Sequence, residues 1–194
     1  MSANPACFAS TLRARLLTRF SFVMESLRLL NDDALLVQCR WDVFRGPGPG
    51  GQKRNKTSNS VRLVHEPTKI VVTAGESRSL AENKMRAVRR LRLKLATDLR
   101  EPIDLAHFEP PDWFLSIRRG NRIEASHRHP LYAAAAGLVL DLLAALAGNP
   151  AAVAVNLGVS TTVVIKVLEA EPQLWAAANR IRAELAMPAL THRR

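Results

Sequence analysis

Apolar and polar residues alternate along residues 35–44, where Val37, Cys39, Trp41 and Val43 fall on one side. A period of two sends successive side chains to opposite faces, so this segment predicts a half-buried β-strand. A second strand is predicted from Val61 to His65 and a third over residues 69–73. Glu66-Pro67-Thr68 is the turn that would join these two strands as a hairpin.

A helical period follows residue 78. Ser79 is predicted to cap the helix and Glu82 to complete a capping box, with the helix ending near Leu99-Arg100, before Pro102. Its expected apolar side consists of Met85, Val88, Leu91 and Leu95. The pattern therefore predicts an α+β fold, a small three-stranded sheet with one long packed helix.

Alanine-rich helical segments dominate the chain after residue 130. Helices are predicted over residues 131–147, 151–156, 161–169 and 173–186, with Gly148-Asn149-Pro150 as a stop signal and Ser160 as a cap. The turn through Gly158 predicts a helix-turn-helix-like, all-α module. We expect an N-terminal extension or helix (1–34), the α+β domain (35–100), a basic linker (101–130) and this module (131–190).

The loop after the first predicted strand is unusually rich in glycine and proline, with four glycines and two prolines between positions 45 and 52. Such a loop is stiff at proline, permissive at glycine and nearly free of side chains, so its backbone can approach a ligand closely. No acidic residue occurs between Asp42 and Glu66, whereas Arg45 and Lys53 flank the tip. The pattern favours an anionic partner, phosphate above all.

Charge is distributed unevenly along the chain. Residues 131–194 carry five Lys/Arg against four Asp/Glu, so nearly all of the formal net charge of +11 lies before residue 131. This asymmetry indicates that the N-terminal two-thirds faces nucleic acid. The basic segments lack the apolar face of an interfacial helix, and no run of 18 apolar residues occurs, so no membrane partner is expected.

Two cysteines form neither a disulfide framework nor a metal site, and Cys39 is interpreted as a small buried strand residue. Residues 1–23 contain three arginines and no acid, which fits either an organellar presequence or a start at Met24 instead of Met1. No secretory signal is recognisable, so a cytoplasmic location is expected, with organellar import if the presequence is real.

The segment from about residue 35 to residue 96 resembles the catalytic domain of class I peptide-chain release factors. The resemblance rests on an ordered series of motifs: Gly48-Pro49-Gly50-Gly51-Gln52, Asn55-Lys56-Thr57, Ser60-Val61-Arg62, His65 with Pro67-Thr68, Arg78-Ser79 and Asn83-Lys84. It implies hydrolysis of the peptidyl-tRNA ester in the ribosomal peptidyl-transferase centre. Gly50 and Gly51 would press the backbone against the P-site tRNA, and Gln52 would orient water at the ester.

The resemblance and the charge pattern together predict an RNA-binding set of residues: Arg45, Lys53, Arg54, Asn55, Lys56, Arg62, Arg78, Lys84, Arg89, Arg118, Arg119 and Arg122. Three positions depart from the family pattern. Lys53-Arg54 replaces the usual His-Val, Lys69 stands where a hairpin glycine is usual, and Leu80 stands where glutamine is common. His65 is interpreted as a hydrogen-bonded histidine, not a base.

The segment before residue 35 is too short for the stop-codon-reading domains of a full release factor, so codon-independent rescue of stalled ribosomes is expected. The alternatives are a non-catalytic ribosome- or RNA-binding protein and a DNA-binding helix-turn-helix protein. The latter is disfavoured because the second helix of that unit carries only Lys166. The expected partner is the ribosome, through its rRNA and peptidyl-tRNA, with no metal or small-molecule cofactor and a monomeric chain.

Overall fold

A computed structural model describes residues 27–45 and 59–191. The chain divides into two compact units. The first comprises Leu30–Ala96, and the second joins the residues before Leu30 to those from Thr97 onward. Together they confirm the α+β class: the first unit holds a three-stranded antiparallel sheet and a long helix, and the second is mainly helical.

The elements of the first unit are α1 (Asp32–Val37), β1 (Cys39–Phe44), β2 (Ser60–His65), β3 (Ile70–Ala74) and α2 (Leu80–Asp98). The strands pair antiparallel in the order β1-β2-β3, and the register joins Trp41 to Leu63 and Leu63 to Val72. Directly opposite residues share a face, so these three side chains lie on one side of the sheet.

The prediction that residues 35–37 belong to the first strand is wrong. They lie in helix α1, which begins after Asn31 because the Asn31 side chain accepts a hydrogen bond from the Ala34 N–H (2.8 Å). Leu35 is fully buried in this helix, whereas Val37, which the alternation placed on the apolar face, is 86% exposed.

The predicted half-burial of β1 also needs correction. The helix-facing side chains Leu63 of β2 and Val72 of β3 are buried, whereas Trp41 and Val43 of β1 are 46% and 41% exposed. β1 is an edge strand, so its apolar side chains lie at the margin of the core. Cys39 is half-buried, with its thiol donating to the Leu35 carbonyl (3.2 Å); burial, and secondarily Glu66, raise the pKa of that thiol.

Helix α2 begins as the sequence predicted, with one change in the cap. The Glu82 N–H donates to Ser79 Oγ (3.3 Å), but the Glu82 carboxylate accepts from the Ser77 hydroxyl instead of the Ser79 N–H. Ser77 Oγ in turn accepts the Ser79 N–H (3.1 Å), so a relay of hydrogen bonds replaces the capping box. Val88, Leu91 and Leu95 are buried as predicted, but Met85 is 56% exposed.

The second unit contains α3 (Asp112–Ile117), the ribbon β4 (Arg118–Arg119) and β5 (Arg122–Ile123), and helices α4 (Tyr132–Ala145), α5 (Pro150–Leu157), α6 (Thr161–Glu169) and α7 (Pro172–Glu184). The four C-terminal helices match the predicted ones to within a few residues. The segment 101–130, predicted as a linker, holds α3 and the ribbon; its status as a linker stays a prediction.

Helix α4 is the centre of the second unit and packs on α5, α6 and α7. It is buried on nearly every side, as its all-round apolar sequence requires. Its one acid, Asp141, is 2% exposed and forms an ion pair with Arg28. Asp141 also accepts from Arg100 Nη1 (2.8 Å) and from the Glu101 N–H (3.2 Å), so its buried charge is compensated.

The helix-turn-helix-like arrangement is present as α5 and α6, which meet at a bend of 111°. Gly158 adopts φ +65° in the turn, and Ser160 Oγ caps α6 by accepting from the Val163 N–H (3.3 Å). Within the described part of the chain, no single helix is long and apolar enough to cross a membrane, and only this bent pair reaches the required length and composition when counted together.

Candidate functional site

The glycine-rich segment connects β1 to β2, and the sheet fixes both of its ends. Phe44 pairs with Ser60, and Val43 pairs with Val61, so residues 45–59 span the end of an antiparallel ladder. The tip residues Gly50, Gly51 and Gln52, and the predicted RNA contacts Lys53, Arg54, Asn55 and Lys56, lie outside the described residues. The structure therefore shows the base on which the segment stands.

Asn83 anchors one end of this segment to helix α2. Its side chain is fully buried, and Nδ2 donates to the carbonyls of Asn59 (2.6 Å) and Ser77 (2.8 Å). Asn83 Oδ1 accepts from the Ser77 N–H (3.0 Å), so the amide uses both hydrogens and its oxygen. Asn59 Nδ2 in turn donates to the Arg78 carbonyl (2.8 Å). These bonds tie the loop end, the segment before α2 and α2 itself together.

Close packing of Gly75 against the Ser60 side chain restrains the same end of the loop. A Cβ at Gly75 would collide with the Ser60 hydroxyl and lie 3.1 Å from Ser60 Cβ, so a larger residue there requires the Ser60 side chain to shift. Ser60 is itself buried. The position at which the loop rejoins the sheet is thus fixed by sterics as well as by hydrogen bonds.

Two cation–aromatic pairs lie on opposite faces of the sheet near this base. Lys84 Nζ, on α2, lies 3.7 Å from the centre of the Trp41 ring, and the Arg62 guanidinium lies 5.4 Å from the centre of the Phe44 ring. Each contact holds a long cationic side chain over a ring, and together they place positive charge on both sides of the strand that enters the loop.

Comparison with known proteins identifies the domain family to which this architecture corresponds. Residues 36–106 match the family model described as RF-1 domain. This segment is an RF-1 domain. The chain is 45% identical over 67 residues to peptide chain release factor 1 of Parafrankia sp. (strain EAN1pec), an alignment covering 34% of this chain and 19% of the relative. It is 38% identical over 120 residues to peptide chain release factor 2 of Mycobacterium avium (strain 104), covering 59% and 30%.

A third relative, peptide chain release factor 2 of Kineococcus radiotolerans, is 47% identical over 64 residues, which is 33% of this chain and 17% of that protein. The chain therefore spans less than a third of the length of the release factors it matches. The likeness supports the identity of the domain, and the resemblance read from the sequence is confirmed.

Neighbouring carboxylates neutralise part of the positive face that α2 gives the RF-1 domain. Arg86 pairs with Glu82 (2.5 Å), Arg90 with Glu76 (2.8 Å), and Arg92 with Asp32 (2.7 Å). The Ser77 hydroxyl, together with Arg86, lowers the pKa of Glu82. Partial burial acts to raise the pKa of Glu76, but the hydrogen bond from Arg90 and backbone N–H groups outweigh it and lower the pKa. Both carboxylates thus stay ionised and hold their arginines.

Arg89 differs from these helix cations. It is exposed and forms no ion pair with any residue in the described ranges. Arg45 and Arg78 of the predicted RNA-binding set are exposed as well. The side chains that can meet a phosphate without first breaking an ion pair are therefore a subset of the basic residues that the sequence presents.

The predicted RNA contacts of the second unit lie on its ribbon and have different surroundings. Arg118 Nη1 donates to the Leu157 carbonyl (3.1 Å), and its guanidinium fills the space where a Cβ of Gly158 would stand. Arg119 is exposed, with a 3.6 Å contact to Glu124. Arg122 is exposed and lines a cavity. The RNA-binding role of all three stays a prediction.

His65 is buried and fully bonded, as expected of a structural histidine. Nε2 lies 3.1 Å from Gln38 Oε1 and Nδ1 lies 2.7 Å from Thr68 Oγ1. If Nε2–H donates to the side-chain oxygen Oε1 of Gln38, Nδ1 of the neutral ring accepts a hydrogen bond from the Thr68 hydroxyl. Burial lowers the pKa of His65. Across residues 27–45 and 59–191, no cluster of His, Cys, Asp or Glu has the arrangement of a metal site.

Sequence reasoning missed the anchoring role of Asn83 and the ring of Trp41 as a support for Lys84. Asn83 did carry a signal, because asparagine is a poor residue for the interior of a long helix and its presence indicates a specific hydrogen-bonding task. The Trp41–Lys84 contact joins an edge strand to a helix more than forty positions away, and single-sequence periodicity contains no such information.

Proposed function

We propose that this chain promotes hydrolysis of the peptidyl-tRNA ester on the ribosome. The observation that carries the proposal is the RF-1 domain with Gly50-Gly51-Gln52 in the segment that joins β1 to β2. The base of that segment is held by Asn83 and by the close approach of Gly75 to Ser60. A fixed base suits a tip that must enter a narrow site and present its backbone.

The roles of the tip follow from residue chemistry. Gly50 and Gly51 carry no side chain that would keep the backbone from the terminal adenosine of the P-site tRNA. Gln52 would admit and orient the attacking water, and its backbone N–H would stabilise the negative charge that develops on the ester. Positioning and an oriented donor are each capable of large effects, and a single oxyanion donor contributes about 3 kcal/mol to transition-state stabilisation in other hydrolases.

The surrounding cations would bind rRNA phosphates without reading bases. In this proposal Arg45, Arg62, Arg78, Lys84 and Arg89 belong to the RF-1 domain surface, and Lys53, Arg54, Asn55 and Lys56 extend it along the loop. Arg119 and Arg122 would add contacts from the ribbon. The reaction needs no metal or small-molecule cofactor, because the ribosome completes the site.

The proposal includes codon-independent action on stalled ribosomes by a monomer in the cytoplasm. The basic balance of the chain supports contact with ribosomal RNA phosphates, which carries no information about base sequence. The alternative, a docking protein without catalysis, has no need of an intact Gly-Gly-Gln, and the presence of that sequence favours hydrolysis.

The test is peptide release from purified ribosomes that hold labelled peptidyl-tRNA in the P site. Three complexes are compared: a truncated mRNA that leaves the A site without a codon, a sense codon and a stop codon. Release from the truncated complex without any requirement for a stop codon is expected. Release on the stop codon alone would show a codon-dependent factor, and release on none, with ribosome binding intact, would support the docking alternative.

A further inference from the structure

The second unit contains a cavity of about 600 Å³ that peptide release does not account for. Its walls come from the ribbon loop and β5, from the segment 125–127, from the start of α4 and from one side of α6. The residues that matter for its chemistry are Arg122, His127, Tyr132, Ser160, Thr162 and Lys166. All of them lie within one compact unit.

The polar side of this cavity offers hydrogen-bond donors and no acid. Arg122, His127 and Lys166 are exposed, lie on three different segments and converge on one opening. Within the described residues none of the three forms an ion pair, and no Asp or Glu lines the cavity. Cations that converge without a carboxylate favour an anionic ligand.

The first turn of α6 adds donors to the same side. Thr162 places a hydroxyl at the cavity, and Ser160 places another while its oxygen caps the helix. The backbone N–H groups of Thr161 and Thr162 donate to no group in the described part of the chain, as expected at a helix start. Helix N-termini of this kind favour phosphate groups.

Apolar side chains line the rest of the cavity: Ile123, Val163 and Val167, together with the Tyr132 ring. A ligand that fits both walls combines an anion with a flat, weakly polar group. A nucleotide has this composition, and the cavity volume falls in the usual range for small-ligand sites. An acidic peptide would meet the cations but leave the apolar wall uncovered.

The shape of the cavity is fixed by hydrogen bonds that do not involve its open side. The Ser160 N–H donates to the Asn121 carbonyl (3.1 Å), which joins the ribbon loop to the start of α6. Arg118 bonds the Leu157 carbonyl at the end of α5 (3.1 Å). Arg118 therefore positions the ribbon, and Arg122 is left to face the ligand.

We propose that this cavity binds a nucleotide unit of single-stranded RNA, with its phosphate among Arg122, His127, Lys166 and the first turn of α6 and its base against the apolar wall. The contact lies in the second unit and does not require the proposed ester hydrolysis, although it gives Arg122 a more specific role than the rRNA phosphate contact proposed above. A free nucleotide shares this chemistry, and the experiment separates the two sources.

The decisive comparison is Thr162→Glu against Thr161→Glu in the full chain. Both residues are exposed in the first turn of α6, where a carboxylate favours helix formation, so neither change should unfold the unit. Only Thr162 lines the cavity. Binding of a fluorescent single-stranded RNA of about 12 nucleotides is measured by anisotropy.

Thr162→Glu is expected to weaken RNA binding on the order of tenfold, about 1.4 kcal/mol, and Thr161→Glu by less than about twofold. Removing Lys166 as Lys166→Gln should lower the log-log salt slope by roughly 0.7, whereas Arg128→Gln, an exposed cation that does not line the cavity, should change it less. Equal losses for the two threonine variants would overturn the proposal.

Cross-linking then locates the ligand. RNA containing 4-thiouridine should cross-link to peptides from residues 121–132 or 160–170, and adenosine monophosphate should displace it only at a large molar excess if the ligand is a strand. Competition by the mononucleotide at low concentration would assign a free nucleotide instead. Cross-links confined to the first unit would contradict nucleotide binding. So would displacement of RNA from these peptides by poly-glutamate when adenosine monophosphate has no effect at any concentration.

Discussion

At the scale of single residues, Lys69 is the clearest mismatch between a residue type and the backbone conformation that the fold requires of it. It closes the β2–β3 hairpin with φ +57°, a left-handed conformation that favours glycine. The family pattern has glycine there, and the structure supplies the reason. A 2.6 Å ion pair with Glu66 accompanies the strained backbone, but both side chains are largely exposed.

Lys69→Gly is expected to stabilise the first unit by roughly 0.5 to 1 kcal/mol, because relief of the left-handed strain exceeds the added entropy of the unfolded chain. The free energy of unfolding in urea measures the change. Lys69→Ala is the control, since it removes the ion pair and keeps the strain, and it should not stabilise. A stabilisation of equal size in both variants would show that the backbone conformation is not the cause.

His65 gives the fold a defined pH dependence. Burial lowers its pKa below the ordinary value of 6.5, so the unfolded chain binds this proton more readily than the folded one. The free energy of unfolding should therefore be constant with respect to this group above that value and fall as pH drops through it. Unfolding curves between about pH 7.5 and 5.5 test the sign.

The comparison variant is His65→Gln, which should be less stable at high pH but lose part of the slope in that window. The other histidines of the chain remain in both proteins, so the difference between the two slopes isolates His65. Identical slopes would contradict a buried neutral imidazole.

At the scale of elements, periodicity was a good guide wherever an element buries one continuous face. The central strand β2, the hairpin partner β3 and helices α4 to α7 lie where the pattern put them. It failed at margins. Residues 35–37 share the alternating pattern but are helical, because the Asn31 cap that starts α1 outweighs that pattern. The apolar face of β1 is half exposed because β1 is an edge strand, and only the neighbouring elements decide which strand is an edge.

The candidate site, like the fold, was predictable from the sequence only in part. The sequence identified the loop between β1 and β2, but the cap of α2, the Asn83 anchor and the ion pairs that hold Arg86 and Arg90 depend on groups far apart in the chain. Arg118 illustrates the point: composition groups it with Arg119 and Arg122, yet its guanidinium bonds a helix end 39 positions away. Charge along a sequence gives no partner in space.

The element-level prediction concerns the anchor between α2 and the loop. Asn83→Asp keeps the acceptor for the Ser77 N–H but loses both donors and faces the Asn59 and Ser77 carbonyls with a carboxylate. It should destabilise the first unit by roughly 2 to 4 kcal/mol. Chemical denaturation gives the value.

Asn31→Asp is the matched control for Asn83→Asp. It introduces the same charge into the same unit at an exposed helix cap where Asp serves as well as Asn, so its effect should be small. Comparable losses in the two variants would indicate that added charge alone is responsible and would exclude an anchoring role for Asn83.

At the scale of the whole molecule, the chain combines a basic RF-1 domain with a helical unit of nearly balanced charge. Ribosome association should therefore depend on salt, mainly through cations that are not already paired within the protein. The variants Arg89→Gln and Arg90→Gln compare two cations of helix α2. Arg89 is exposed and has no ion pair within the described residues, whereas Arg90 bonds Glu76 at 2.8 Å.

Arg89→Gln is expected to lower the log-log slope of ribosome affinity against salt by roughly 0.7 to 0.9, and Arg90→Gln by clearly less. Sedimentation binding at several salt concentrations, with folding checked by circular dichroism, provides the comparison. An unchanged slope for Arg89→Gln would exclude this face of α2 from the interface.

The central claim is that the loop tip performs peptide release, and single-turnover release from stalled ribosomes with Gly51→Ala and Gln52→Ala tests it most directly. Neither residue offers much binding area, so both variants should bind ribosomes with wild-type affinity while the release step is lost. The wild-type chain at saturating concentration sets the reference rate. A wild-type release rate in the ribosome-bound Gly51→Ala variant would contradict the claim.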